Sequence, residues 1–276
     1  MTIHRVKSTD GVELALHDFG GTGPPLLILH ATGFHANCYA AIAEQLTDIR
    51  RIYAPDLRGH GDSFTPDIAL PWSKMVDDVV ATLHYLNIDE PVDMVGHSMG
   101  GATALATELR RPGTLRRAWV YEPIVFPPDA EREQGTMSAT ARNRRSTFES
   151  LESAYQRYAS RPPFDAIEPR VLRDYVEHGF RDSSGADPGE VVLKCTPESE
   201  GRVFDGVDES IFGQLNNINA EVWVVGSGDG GTPSMIAAKA ASELRRSTFV
   251  HWTDRTHFGP FEDPSRAARD IRAAIT

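Results

Sequence analysis

A serine between two glycines is the part of this sequence best suited to chemistry. Residues 92–100 read VDMVGHSMG: an apolar run ends at Gly96, Ser98 follows, and Gly100 begins an alanine-rich helical stretch. Such a strand-to-helix turn strains the serine backbone, and the glycines permit it because they lack a Cβ. The turn would hold the hydroxyl clear, beside a helix N-terminus that favours negative charge. We therefore predict that Ser98 is a nucleophile, with an idle serine in a glycine-rich turn as the alternative.

A serine hydroxyl needs a base, and the base needs an acid that orients it. His257 lies in TDRTHFGPFEDP, a loop between the last predicted strand and the last helix, and is the predicted base. Two acids are candidates. Asp229 follows the strand EVWVVG, whereas Glu122 ends the strand RRAWVYEP at the same edge of the sheet. Asp229 is preferred because its loop leads into the strand that delivers the histidine.

Two backbone N–H groups are needed to stabilise an oxyanion. The amide of Met99, directly after the nucleophile, is the first predicted donor. The second should come from the loop HATGFHANCY, where Gly33 permits a tight turn. The amide of Phe34 is preferred there, and that of Thr32 is the alternative.

Several further side chains could line a substrate pocket. They are mainly aromatic or aliphatic, and therefore favour a substrate with an apolar acyl or alcohol group. A place in the apolar core is the alternative interpretation. The predicted pocket residues are Tyr39, His97, Ile124, Phe126 and Phe258.

Strands alternate with helices at both ends of the chain, and this pattern must position the candidate residues. A hairpin around Asp10–Gly11 comes first, then the apolar run PPLLILH, and strand–helix pairs continue to RRAWVYEP. The alternation stops at about residue 125 and resumes with EVWVVG. We therefore predict an α/β fold with a mostly parallel sheet, helices on both faces and an insertion in the middle.

The composition excludes several classes of partner. The 39 acidic and 28 basic residues give a net charge of −11, which argues against nucleic acid. The basic cluster of Arg142, Arg144 and Arg145 is predicted to be a solvated helix face. No signal-peptide core and no apolar stretch of about 18 residues is present, so we expect a cytoplasmic protein without a membrane partner. The oligomeric state is left open.

No cofactor or metal is predicted. The two cysteines, Cys38 and Cys195, are far apart and show no metal or redox spacing. Gly226, Gly228 and Gly231 match a dinucleotide fingerprint, but too few residues follow them for the complete sheet of such a site.

The motifs HATGF, APDLRGHGDS, GHSMGG, GSGD and THFGPFEDP occur in the order typical of the α/β-hydrolase fold family, which the chain therefore resembles. The resemblance implies an eight-stranded, mostly parallel sheet with an inserted helical cap. Residues 1–124 and 219–276 would form the core, and residues 125–218 the cap. It also implies the catalytic roles already given to Ser98, Asp229 and His257.

The resulting hypothesis is a serine hydrolase that cleaves a small-molecule carboxylic ester, lactone or thioester through an acyl-enzyme, using a Ser-His-Asp triad. One alternative is a small-molecule sensor or receptor on the same scaffold. Another keeps the triad but catalyses a different reaction, such as carbon–carbon bond hydrolysis, perhydrolysis or a lyase reaction.

Overall fold

The structure is a computed structural model that describes residues 1–128, 135–183, 185, 189–228 and 230–276. Within these residues no helix has both the length and the apolar character needed to cross a membrane. The strands are β1 (Thr2–Lys7), β2 (Glu13–Gly21), β3 (Pro25–Leu29), β4 (Arg51–Pro55), β5 (Val92–His97), β6 (Leu115–Tyr121), β7 (Thr147–Phe148), β8 (Phe180–Asp182), β9 (Val191–Leu193), β10 (Glu221–Ser227) and β11 (Ser247–Trp252).

The α-helices follow the strands closely in the chain. They are α1 (Ala40–Ala43), α2 (Trp72–Tyr85), α3 (Met99–Arg110), α4 (Thr136–Arg142), α5 (Leu151–Ala159), α6 (Pro169–Gly179), α7 (Pro197–Asp205), α8 (Thr232–Glu243), α9 (Gly259–Glu262) and α10 (Pro264–Ile275). Short 3-10 helices span Thr9–Gly11, Ala36–Tyr39, Glu44–Leu46, Phe164–Ala166 and Phe212–Asn217.

Eight strands form one sheet in the order β1-β2-β4-β3-β5-β6-β10-β11. Strand β2 pairs antiparallel with β1 and β4, and every other neighbouring pair is parallel. The predicted mostly parallel α/β sheet is thereby confirmed. In a parallel sheet the carboxyl ends of the strands meet at one edge, so the loops after β3, β5, β6, β10 and β11 lie together.

Strand β3 shows why this sheet is stable. Its side chains alternate between the two faces: Leu26 and Ile28 join the apolar cluster on one side, and Leu27 and Leu29 join the cluster on the other. Each of these side chains is at most 1% exposed. Burial of one such side chain stabilises the fold by roughly 1.5–3 kcal/mol, which explains the continuous apolar run in the sequence.

The middle segment, defined as residues 125–218, contains helices α4 to α7 and a separate sheet. That sheet has three short antiparallel strands in the order β7-β9-β8, which the sequence analysis did not predict. Strands of two or three residues are too short to show a period of two. The division of the chain into a core and a cap stays a prediction.

Candidate active site

The turn at Ser98 has the predicted strain. Ser98 has φ 56° and ψ −116° and lies at the N-cap of α3. A Cβ on Gly96 would lie 2.6 Å from the carbonyl oxygen of Gly100, and one on Gly100 would lie 2.1 Å from the carbonyl oxygen of Leu29. Both positions therefore exclude any side chain. Since a non-glycine residue rarely has a positive φ, the surrounding backbone must hold Ser98 in this conformation.

Three backbone hydrogen bonds hold the turn. The amide of Ser98 donates to the carbonyl of Tyr121 at 2.9 Å. The carbonyl of Ser98 accepts from the amides of Ala102 at 3.1 Å and Ile124 at 3.3 Å. The serine is thus fixed to the end of β6 as well as to its own helix.

The oxyanion donors predicted from the sequence differ in availability. Met99 is the first residue of α3, so its N–H has no acceptor within the helix. The amide of Phe34 donates to the carbonyl of Ala31 at 3.2 Å, so the preferred second donor is already in use. Within the described residues the amide of Thr32 has no acceptor, and its buried hydroxyl has no partner either. The amide of Thr32, the alternative of the sequence analysis, is therefore more available as the second oxyanion donor than the amide of Phe34.

Glu122 is the carboxylate that contacts the predicted base. Its Oε2 lies 2.6 Å from Nδ1 of His257, while its Oε1 accepts a 2.7 Å hydrogen bond from the amide of Ser227. The side chain of Glu122 is 0% exposed, so no water competes for it. Sequence reasoning named Glu122 only as the second candidate, and the preferred Asp229 lies outside the described residues.

The backbone around Glu122 explains how it reaches the histidine. Glu122 directly follows β6 and has φ 43°, an uncommon left-handed conformation for a non-glycine residue. Its amide donates to the carbonyl of Val225 in β10 at 2.8 Å. A bond to the next strand at this point holds the strained backbone and directs the carboxylate along the carboxyl edge of the sheet.

Neighbouring groups fix the loop that carries His257. The hydroxyl of Tyr121 donates to the carbonyl of Thr256 at 2.7 Å. The amide of Gly259 donates to the same carbonyl at 2.9 Å, and the side chain of Thr256 donates to Glu262. A Cβ on Gly259 would lie 2.1 Å from the hydroxyl oxygen of Tyr121, so this approach requires glycine.

A chain of hydrogen bonds links the loop after β3 to the histidine loop through Tyr39 and His97. The amide of Ala31 donates to the hydroxyl of Tyr39 at 3.1 Å, and that hydroxyl lies 3.0 Å from Nδ1 of His97. Nε2 of His97 lies 2.8 Å from the carbonyl of His257. A carbonyl only accepts, so Nε2 carries the proton, and Tyr39 donates to Nδ1. Burial lowers the pKa of His97 well below its ordinary value, which keeps the ring neutral.

Tyr39 and His97 are therefore structural elements of the site. Both are completely or almost completely buried, and their polar atoms are used within the chain of hydrogen bonds. The prediction that they line a substrate pocket is not supported. Of the other predicted pocket residues, Ile124 and Phe126 are partly buried against the apolar cluster on the α3 side of the sheet.

Phe258, the last predicted pocket residue, belongs to an aromatic group between the core and the middle segment. Its ring lies 5.6 Å from that of Phe34 and 5.9 Å from that of Phe164. The ring of Phe34 also lies 5.2 Å from that of Tyr175 in α6. The middle segment thus packs directly on residues next to the predicted oxyanion loop and next to His257.

One group of ligand-type side chains in the described part of the chain comes close enough together to hold a metal ion. The ligand atoms of His17, Asp56 and Asp62 lie within 4.8 Å of one another. The Asp56 carboxylate already accepts from the amides of Ala36 at 2.8 Å and Asp62 at 2.9 Å, and Lys194 pairs with Asp62 at 2.6 Å. Burial alone would raise the pKa of Asp56, but the hydrogen bond and charge of His17 outweigh it and hold the pKa below its usual range. These contacts join β2 to the loop after β4, and we assign no metal to the group.

Comparison with known proteins agrees with this geometry. The Alpha/beta hydrolase family matches residues 26–270, which include Ser98, Glu122 and His257. The chain belongs to the alpha/beta hydrolase family.

Two curated relatives illustrate the range of this hydrolase family. The 2-hydroxymuconate semialdehyde hydrolase of Pseudomonas sp. (strain CF600) is 37% identical over 111 residues, which are 39% of this chain and 38% of that protein. The probable protein phosphatase methylesterase 1 of Caenorhabditis elegans is 34% identical over 184 residues, 62% of this chain and 50% of that protein. The chain therefore spans half or less of the length of these two relatives.

Solved structures of low identity share the fold of this alpha/beta hydrolase over nearly its whole length. The crystal structure of E-2-(acetamidomethylene)succinate hydrolase has a TM-score of 0.83 at 19% identity, and covers 99% of this chain and 98% of that one. A thermophilic esterase from Thermogutta terrifontis with malate bound has a TM-score of 0.74 at 23% identity, and covers 99% and 97%. At such identities the likeness shows the fold alone.

Proposed function

We propose that the chain is a serine hydrolase that cleaves a small-molecule carboxylic ester, or a related lactone or thioester. His97, the residue before Ser98, contacts the carbonyl of His257 at 2.8 Å, so the serine turn adjoins the histidine loop. The observation that carries the proposal is the 2.6 Å contact between Glu122 Oε2 and His257 Nδ1. This contact supplies the acid and the base that a serine nucleophile requires.

The proposed reaction uses a triad of Ser98, His257 and Glu122. Ser98 attacks the acyl carbon while Nε2 of His257 takes the proton of its hydroxyl and then passes it to the leaving alcohol. Glu122 keeps the other imidazole proton on Nδ1 and stabilises the imidazolium. The amide of Met99, together with an amide of the loop at residues 31–34, stabilises the tetrahedral oxyanion. Water activated by His257 then releases the acid.

Glu122 takes the role that the sequence analysis gave to Asp229. Its support is the pair of short contacts from the two carboxylate oxygens, one to the imidazole and one to the amide of Ser227. A carboxylate held at both oxygens is fixed in position, as an orienting acid must be.

The middle segment would act as a cap over this site. The aromatic contacts of Phe34 with Phe164 and Tyr175 support this role, because they join the segment to the loop after β3. The choice of an ester is supported by relatives that are named a methylesterase and a lipase. Two other relatives are named hydrolases of a semialdehyde and of a succinate derivative, so carbon–carbon or amide-like bonds belong in the same substrate panel.

Covalent labelling and turnover together test the proposal. The wild-type chain should react with a fluorophosphonate at Ser98 and hydrolyse p-nitrophenyl acetate, and Ser98→Ala should abolish both. The kcat of that variant should fall by about 10⁴-fold or more. Near-normal turnover by Ser98→Ala would contradict the proposal. Tight binding of a small molecule without labelling or turnover would favour the receptor alternative.

A further inference from the structure

Arg144 points into the protein, although the sequence analysis predicted a solvated helix face for it and its neighbours. Its side chain is 19% exposed, compared with 35% for Arg142 and 43% for Arg145. Arg142 pairs with two exposed carboxylates, Glu198 and Asp205, and fits the expectation. Arg144, which follows the end of α4, instead directs its guanidinium toward buried partners.

Three side chains surround this guanidinium. Nη2 donates to the hydroxyl oxygens of Tyr158 at 3.0 Å and Tyr175 at 2.7 Å. Nη1 donates to Oε2 of Glu200 at 2.5 Å. We call these four residues the Arg144 cluster: Arg144, Tyr158, Tyr175 and Glu200. They come from four different parts of the middle segment.

The Arg144 cluster lies against the loop that follows β3. A Cβ on Gly33 would lie 2.7 Å from Oε1 of Glu200 and 3.6 Å from Nη1 of Arg144. This loop extends from β3, in which Leu29 pairs with Gly96 of β5, two residues before the nucleophile. The cluster therefore lies at the boundary between the middle segment and the catalytic edge of the sheet.

Several hydrogen-bond donors of the Arg144 cluster have no acceptor in the described part of the chain. An arginine side chain has five N–H donors, and Arg144 uses three of them. Both phenol oxygens accept from Arg144, so their own O–H groups point elsewhere, and no residue in the described part of the chain accepts from them. Burial raises the pKa of Tyr175 well above its ordinary value, so its hydroxyl remains a donor. Unused donors in a largely buried site favour a ligand rich in acceptors.

We propose that the Arg144 cluster binds a carboxylate carried by the substrate, so that the preferred esters are monoesters of dicarboxylic acids. This inference rests on the proposed function, because it places the carboxylate near the ester that Ser98 attacks. A carboxylate matches the planar donors of arginine and accepts from the phenols at the same time. Neutral carbonyl or hydroxyl groups would use fewer of these donors.

The charge of Glu200, beside that of Arg144, provides a matched test of the proposal. Its carboxylate holds the guanidinium, but it is also a negative charge beside the incoming one and would repel it. Removal of the Arg144 charge should therefore weaken binding of an anionic substrate, whereas removal of the Glu200 charge should not weaken it. A purely structural ion pair would instead make both variants lower activity on every substrate alike.

The test compares two matched esters: monoethyl succinate and ethyl 4-methylpentanoate, in which a branched alkyl group replaces the carboxylate. The wild-type chain should favour the anionic ester in kcat/KM. Arg144→Met should reduce the ratio of the two kcat/KM values by about 10- to 100-fold, the range expected for a charged hydrogen bond. Glu200→Gln should leave the ratio unchanged or raise it, and the surface control Arg142→Met should not change it. A ratio insensitive to Arg144→Met, or a preference of the wild type for the neutral ester, would overturn the inference.

Calorimetry separates this inference from the proposed function. Monoethyl succinate should bind to Ser98→Ala, which cannot turn it over, and the double variant Ser98→Ala/Arg144→Met should lose that binding. Binding that depends on Arg144 would support the carboxylate site even if the wild-type chain hydrolysed neither ester. Absence of binding to Ser98→Ala would overturn the carboxylate site even if other esters were cleaved.

Discussion

Replacing Glu122 by glutamine should nearly abolish catalysis while leaving the shape of the site unchanged. The amide of Ser227 donates to Oε1 at 2.7 Å, so the oxygen of the glutamine must take that position. Its NH2 group must then face Nδ1 of His257, where Oε2 now lies at 2.6 Å. An NH2 group only donates, which forces the imidazole proton from Nδ1 to Nε2. An imidazole that is protonated at Nε2 cannot take the proton of Ser98.

The expected loss follows from this change of tautomer. In a well-studied protease, the equivalent replacement of the acid lowers kcat by about 10⁴-fold, and we expect 10³- to 10⁴-fold here. At 1.36 kcal/mol for each factor of ten, the loss corresponds to roughly 4–5.5 kcal/mol of transition-state stabilisation. Glu122 is completely buried, so water cannot restore the missing acceptor.

The assay measures kcat for p-nitrophenyl acetate in Glu122→Gln and in the matched control Asp229→Asn, with circular dichroism to show that both variants fold. Asp229→Asn should stay within about threefold of the wild-type rate, because Glu122 already supplies the carboxylate that contacts His257. The opposite result, a loss of several orders of magnitude in Asp229→Asn with an active Glu122→Gln, would refute our assignment of the acid.

Three more predictions follow from particular contacts. Tyr39→Phe removes the acceptor of the Ala31 amide, and should lower kcat by about tenfold with little change in KM, measured by steady-state kinetics; an unchanged kcat would contradict this. Gly100→Ala should destabilise the fold by about 3 kcal/mol or more in urea unfolding, because its Cβ would meet the carbonyl of Leu29; the control Gly213→Ala, where nothing lies within 4 Å, should stay within about 0.5 kcal/mol. The free energy of unfolding should fall as the pH is lowered from about 6.5 to 4, because buried histidines stay neutral in the folded chain but become protonated when it unfolds. Each histidine with a pKa of about 4 contributes roughly 3 kcal/mol to this loss, and equal urea midpoints at pH 7 and pH 5 would refute it. Burial lowers the pKa of these histidines, to about 3 for His30 and about 4 for His35 and His60.

The features that sequence reasoning located correctly are those set by local sterics and by apolar patterning. The turn at Ser98 needs glycines at fixed positions, and the structure shows backbone atoms where their side chains would be. Strand β3 is buried on both faces, so its leucines and isoleucine form an unbroken apolar run. Such signals lie within a few neighbouring residues, and a single sequence displays them fully.

The contacts that sequence reasoning did not favour or predict join residues far apart in the chain. Glu122 and His257 are 135 positions apart, and only the left-handed backbone at Glu122 directs its carboxylate to the imidazole. The sequence RRAWVYEP does not predict that conformation. The position of Glu122 directly after β6 did indicate a place at the carboxyl edge of the sheet. Arg144 likewise looked like its exposed neighbours, because its partners Tyr158, Tyr175 and Glu200 lie on later helices.

The hydrogen bond from His97 ends on the main chain of residue 257 and not on its imidazole. The loop would therefore keep this hydrogen bond in a His257→Ala variant. The space left by the imidazole would be a cavity, or slot, bordered by the Glu122 carboxylate. Small imidazoles supplied in solution could enter that slot and act as the missing base. In this scaffold, the hydrogen bonds that hold the loop are independent of the imidazole that we propose as the base.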